Sequence, residues 1–341
     1  MIKAIATNSI DGWLKRLSAQ AVVFVPQRRT GGDVVLEPMQ PGRRAAHYRR
    51  LAESPKRILL PQVDELVRFE ANRGRPVLDE TQRILFGLRP CDAAAVAILD
   101  EFFSRDFADP NYLARRRHMR LIVAACPESA ESCFCLSAGT GPVAADGFDV
   151  QLFDLGEIHL AAAGTEEGKA LMARGGELFG DPPPDAQQQL AEFRRKSEAA
   201  QQTHLDLDRV RKIIRDRAEP AHFWEGVADR CLMCGGCAYL CPTCTCYDVA
   251  DQPTGPGQGV RRRLWDTCVL GGFTREASGH NPREPQSLRC AHRYLHKLGG
   301  SDSSERPFRC VGCGRCADTC ITRLGMIRVV TELLEGVAGS K

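Results

Sequence analysis

Two stretches of this chain carry four cysteines each in one and the same spacing. Cys231, Cys234, Cys237 and Cys241, followed by Pro242, make a C-x2-C-x2-C-x3-C-P run, and Cys310, Cys313, Cys316 and Cys320 repeat it with Ile321 in the proline's place. Three thiolates this close together wrap one face of an iron-sulfur cubane, and the fourth, beyond a turn, reaches a second cubane. Structural zinc takes four ligands, usually as two separated pairs, and gives the third cysteine of each run no task. Crossed ligation predicts one 4Fe-4S cluster on Cys231, Cys234, Cys237 and Cys320, and another on Cys310, Cys313, Cys316 and Cys241. Gly235, Gly236, Gly312 and Gly314 suit backbone packed close to a cluster.

Two rival motifs lie inside the first run. Cys237, Cys241 and Cys244 have the C-x3-C-x2-C spacing of radical S-adenosylmethionine proteins, but Thr243 stands where an aromatic residue is usual and no barrel of eight βα units fits around it. Cys241 and Cys244 also form a C-x-x-C pair, without the strand-to-helix context of a thioredoxin. Coincidence explains both better.

The chain has 341 residues, 43% hydrophobic and 26% charged, which is globular and long enough for two domains. Its first residues, interrupted by Asn8, Asp11 and Lys15, do not read as a secretory signal, and no run of about 18 apolar residues predicts a membrane span. The expectation is a cytoplasmic protein, where thiols stay reduced and 16 cysteines point to metal rather than disulfides. The net charge is only +3. Each oxidised cluster with four thiolates adds about −2, so two clusters bring the total to about −1 and three to about −3. That balance argues against a phosphate grip and hence against nucleic acid as a partner.

The first half alternates apolar runs with helical patterns. RILLP (57–61), ILFGL (84–88) and RLIVAAC (120–126) read as buried strands, and DAAAVAILDEFF (92–103) and EEGKALMA (166–173) as helices. The prolines of GDPPPD (180–185) mark a boundary. Residues 186–217 read as one long helix or a helix pair. The organisation expected is an α/β domain over 1–179, a boundary and helical linker over 180–220, and over 221–341 a mainly helical, ferredoxin-like two-cluster domain. Within the last, LRCAHRYLHKL (288–298) reads as a helix carrying His292 and His296 at i and i+4, GPGQG (255–259) as a flexible turn, and Arg261, Arg262 and Arg263 as a solvated loop.

The remaining cysteines are less constrained. Cys91, Cys126, Cys133 and Cys135 sit just after predicted strands, where they either converge on a third cluster or stand as buried thiols, and spacing does not decide between the two. Cys244, Cys246, Cys268 and Cys290 read as packing residues.

GLRPCDAAAVAILDEFF, CPESAESCFCLSAGTGP and WDTC (265–268), with the paired cysteine runs, resemble the β subunit of cytosolic sulfhydrogenases and the related A subunit of anaerobic sulfite reductase. The resemblance spans nearly the whole chain, with Ile321 its main departure. It implies an electron-transfer subunit that holds 4Fe-4S clusters and relays electrons between a flavin subunit meeting NAD(P)H and a separate catalytic subunit, either hydrogenase or sulfite reductase. It also favours the third cluster, because Cys91, Cys126, Cys133 and Cys135 belong to the shared pattern. No dinucleotide fingerprint, nickel-iron site or siroheme pocket is legible, so the flavin and the terminal chemistry are expected on partners, with no catalytic residue here. A structural iron-sulfur binding module is the distant alternative.

Overall fold

A computed structural model describes residues 1–71, 73–300 and 306–338. The strands are β1 (Ile2–Ala6), β2 (Val22–Arg28), β3 (Val34–Pro38), β4 (Val63–Glu70), β5 (Arg73–Pro76), β6 (Arg83–Leu88), β7 (Met119–Ala124), β8 (Val150–Asp154), β9 (Ile158–Ala163), β10 (Phe179–Gly180), β11 (Tyr247–Gly255) and β12 (Gln258–Trp265). The helices are α1 (Ile10–Leu17), α2 (Lys56–Leu59), α3 (Pro90–Ser104), α4 (Pro110–Arg117), α5 (Glu166–Ala173), α6 (Ala186–Ala199), α7 (Leu207–Asp216), α8 (Phe223–Asp229), α9 (Gly236–Tyr239), α10 (Gln286–Leu298), α11 (Arg315–Asp318) and α12 (Met326–Ala338), with two short 3-10 turns besides. They form two compact units, one of residues 1–55 and 78–202, the other of 56–77 and 203–341.

The first unit is built on an eight-stranded sheet in the order β10-β1-β9-β8-β7-β6-β2-β3. Strands β2, β6, β7 and β8 run parallel and the outer pairs antiparallel. Parallel strands covered on both faces read as continuous apolar runs, which is why ILFGL and LIVA were legible. Helix α1 turns Ile10, Trp13, Leu14 and Leu17 inward at helical spacing. Trp13 is fully buried, donates from Nε1 to the Leu171 carbonyl at 2.9 Å and meets Phe179 edge-on at 5.0 Å. Helix α3 starts with Pro90 in its first turn, and the Asp92 carboxylate accepts from the Arg89 N–H at 3.2 Å. Both EEGKALMA and the helix pair of 186–217 form as expected, the second as α6 and α7.

The second unit combines helices with a four-stranded antiparallel sheet, β11-β12-β4-β5. Two of those strands come from the excursion 56–77. RILLP, expected as a strand, instead lies largely in α2, since a short apolar run fits a buried helix turn as well as a strand. The three arginines expected in a solvated loop lie in β12. The register against β4 shifts between Arg261 and Arg262, which leaves Arg261 exposed and turns Arg263 inward, where it pairs with Asp64 of β4 at 2.7 Å with 1% and 3% of the side chains exposed. GPGQG forms the β11–β12 hairpin turn. Helix α6 belongs to the first unit and α7 to the second, so the division falls after Gln202. Among the described residues no helix is long and apolar enough to cross a membrane.

Candidate iron-sulfur sites

The two cysteine runs fold as a matched pair. Gly235 and Gly314 hold φ of 75° and 74°, and each opens a single helical turn, α9 and α11. A side chain at Gly235 is opposed twice over: the dihedral is left-handed, and a Cβ would stand 2.9 Å from both Thr267 Cγ2 and Tyr239 Cε2. The fourth cysteine of each run meets a threonine two residues on, Cys241 Sγ to Thr243 Oγ1 at 3.3 Å and Cys320 Sγ to Thr322 Oγ1 at 3.4 Å. The turn after Cys320 closes without proline. The Arg323 N–H donates to the Cys320 carbonyl at 2.9 Å, as that of Cys244 does to Cys241 at 3.4 Å, and Ile321 points outward with 82% of it exposed.

The cysteines are brought together across the runs. Cys231, Cys234, Cys237 and Cys320 line one cavity together with Leu232, Val269 and Leu324. The Cys231 and Cys320 sulfurs accept main-chain N–H groups, from Met233 at 3.5 Å and Leu324 at 3.2 Å. In the other group, burial raises the Cys310 thiol, and the charges of Cys316, Cys241 and Cys313 add to it. Thr243 Oγ1 donates to the Arg309 carbonyl at 2.7 Å, tying the segment after Cys241 to the start of the second run. Burial is the main cause of the raised Cys237 pKa, which Arg293 opposes and Cys316 adds to.

Cys91, Cys126, Cys133 and Cys135 all lie in the first unit, beyond the carboxyl ends of β6 and β7. Burial pushes the Cys126 thiol up to about 11, with Cys133 contributing in the same direction. Cys135 donates to Gln201 Oε1 at 3.0 Å, and Arg50 Nη1 stands 4.0 Å from Cys133 Sγ. A Cβ at Gly141 would sit 3.3 Å from Cys135 Sγ and 3.4 Å from Pro90 Cβ, so Cys135 lies against the segment bearing Cys91.

The residues at these places fit anionic thiolate-bound clusters. The donors are sulfur alone, and among the described residues no three His, Cys, Asp or Glu close on a single ion. Buried cations flank each group, and two of them, Arg293 and Lys297, have no carboxylate partner among the described residues. Arg293 is 4% exposed, its Nε and Nη1 have no partner, and its one hydrogen bond runs from Nη2 to the Cys237 carbonyl at 3.4 Å. Burial works against its charge, and the Cys237 and Cys316 sulfurs restore it. Lys297, 2% exposed, donates to the Thr243 carbonyl at 2.9 Å and Oγ1 at 2.8 Å. In the first unit Arg89 is 6% exposed, stacks 4.2 Å from the Tyr48 ring centroid and leaves Nε without an acceptor. Burial opposes its charge too, and Tyr48, Cys126, Cys91 and the buried Asp92 favour it. A buried guanidinium lacking an anion costs several kcal/mol, so Arg293 above all calls for negative charge at the cysteines.

Sequence reading missed those cations, since one Arg or Lys within a helix looks like a solvated face. Two cysteines read as packing also stand at the sites: Cys290 lines the cavity of Cys231 and its thiol donates to Met233 Sδ at 3.8 Å, and the Cys244 N–H donates to the Cys241 carbonyl. His292 and His296 stack at 5.6 Å on α10.

Paired four-cysteine runs in this setting define an iron-sulfur protein of the two-cluster kind, and residues 230–324 match the family described as the 4Fe-4S dicluster domain. Over 290 residues, covering 85% of each chain, the sequence is 32% identical to sulfhydrogenase 2 subunit beta of Pyrococcus furiosus. The chain belongs to the sulfhydrogenase β-subunit family. No solved structure matches it.

Proposed function

We propose that this chain is the electron-relay subunit of a hydrogenase-type oxidoreductase in the cytoplasm, standing between a flavin subunit that meets NAD(P)H and a separate catalytic subunit. The observation that carries the reading is that Cys320 of the second run lines one cavity with Cys231, Cys234 and Cys237 of the first. A 4Fe-4S cluster held by four thiolates supplies one-electron transfer with no iron left open for substrate. Cys231, Cys234, Cys237 and Cys320 would hold one, and Cys310, Cys313, Cys316 and Cys241 the other. The chain's own part is to fix the thiolates, shield them with the buried Val269 and Leu324, and lend N–H donors from Met233 and Leu324 to sulfur. Cys91, Cys126, Cys133 and Cys135, with Arg89 as countercharge, are the candidate ligands of a third cluster.

Anoxic purification with iron and sulfide analysis tests this. About eight irons are expected for two clusters and about twelve for three. In the second case Cys133→Ser removes about four and leaves the other EPR signals intact. Cys231→Ser and Cys320→Ser should damage one signal and Cys241→Ser the one that Cys313→Ser damages. Stoichiometric zinc without acid-labile sulfide would sink the reading. The chain freed of partners should take electrons from dithionite yet neither oxidise NAD(P)H, evolve hydrogen nor reduce sulfite, and adding the flavin subunit should restore reduction by NAD(P)H. Turnover of any of these substrates by the partner-free chain would refute the relay role.

A further inference from the structure

Helix α10 stands in the long stretch between the two cysteine runs and touches both. At its start Gln286 Nε2 donates to the Cys231 carbonyl at 2.8 Å, and in its last two turns Tyr294 donates to the Leu324 carbonyl at 2.7 Å, where the Leu324 N–H meets Cys320 Sγ. At its end the Arg309 N–H, just before Cys310, donates to the Lys297 carbonyl at 3.0 Å. Between these anchors Arg293 and Lys297, one turn apart, face inward.

Neither cation has a carboxylate partner among the described residues. The one buried carboxylate described in the second unit is Asp64, which Arg263 takes. Arg293 binds a carbonyl of the first run and bears on sulfurs of both runs, whereas Lys297 is fastened at Thr243, on the side of Cys241 and Cys310. Adding an electron to a thiolate-bound cluster raises its negative charge by one unit. A fixed cation inside a low-dielectric interior favours that reduced form, and burial keeps salt from screening it.

We propose that α10 tunes the relay: Arg293 raises the reduction potentials of both clusters, and Lys297 raises chiefly that of the cluster on Cys241, Cys310, Cys313 and Cys316. Both are positioning residues, acting on the clusters through their charge. The proposal rests on the iron-sulfur reading above, and its test keeps the two apart, because iron content reports whether clusters are present and the midpoint potentials report what α10 does to them.

The experiment is an EPR-monitored redox titration of the anoxically purified full chain and its variants, with iron counted in each. Arg293→Met should retain iron and lower the reduction equilibrium constant of both clusters at least tenfold, a shift of about 59 mV or more for one electron. Arg293→Lys should recover most of that shift. Lys297→Met should move one signal much more than the other, the larger shift falling on the signal that Cys313→Ser removes. Unchanged potentials in iron-replete Arg293→Met would overturn the proposal, as would equal shifts in Lys297→Met. If Arg293→Met loses its iron, Arg293→Lys decides: retained iron supports a requirement for charge, and loss in both shows that the guanidinium's shape matters and overturns it.

Discussion

Breaking the Asp64–Arg263 pair should destabilise the second unit more than any surface ion pair would. The contact is 2.7 Å and the side chains are 3% and 1% exposed, so neither charge can turn to water when its partner goes. Two unit charges about 4 Å apart at an effective dielectric of about 20 attract by about 4 kcal/mol. Losing one partner of such a pair costs about 3–5 kcal/mol, mostly as the penalty on the charge left behind. At about 2–4 °C per kcal/mol for a domain of this size, Asp64→Asn or Arg263→Met should lower the melting temperature by about 10 °C. The assay is thermal unfolding under anoxia, followed by circular dichroism and by visible absorption. Because β4 pairs with β12 through this contact, loss of the sheet and loss of the clusters should move together. The double variant should lose less than the sum of the two single losses, since neutralising both groups removes the stranded charge. Single variants that each melt within 2 °C of the parent would refute the reasoning, as would strictly additive losses.

In the first unit, Trp13→Ala should cost about 3–5 kcal/mol, because the indole is fully buried and its N–H leaves the Leu171 carbonyl unpaired; denaturant unfolding measures it, and a loss under 1 kcal/mol would contradict the packing described. Burial raises the Asp79 carboxyl, but hydrogen bonds from Arg83 and Thr81 outweigh it and hold the pKa at about 2, below the usual carboxylate value. A depressed carboxyl pKa contributes stability that is present above the unfolded value near 4 and lost as pH falls from there toward 2. Asp79→Asn should therefore cost at most about 1 kcal/mol at pH 7, the pair being partly exposed, and the difference from the parent should shrink by pH 3 in urea titrations.

The cysteine runs were legible because their meaning is local. Ligands two and three residues apart can reach one cubane whatever the rest of the chain does, and the repeated spacing implied a second. The strands ILFGL and LIVA and the helices α3 and α5 were legible for a related reason, since burial on both faces or one imposes a pattern within a single element. Pairings between distant segments were not. Nothing in Lys56–Val77 announces that it leaves the first unit to add two strands to the second, because a strand's hydrogen bonds are blind to sequence and its partner is chosen by packing. Likewise RRR at 261–263 carries no mark of which arginine turns inward. Strand alternation would send Arg261 and Arg263 to one face, a register shift between Arg261 and Arg262 separates them, and only the carboxylate of Asp64, about two hundred residues away in the chain, makes burial of Arg263 tolerable. Arg293 and Lys297 follow the same rule. A basic residue on a helix is solvated by default, and it takes the folded arrangement of α10 against both cysteine runs to turn two ordinary side chains into buried countercharges.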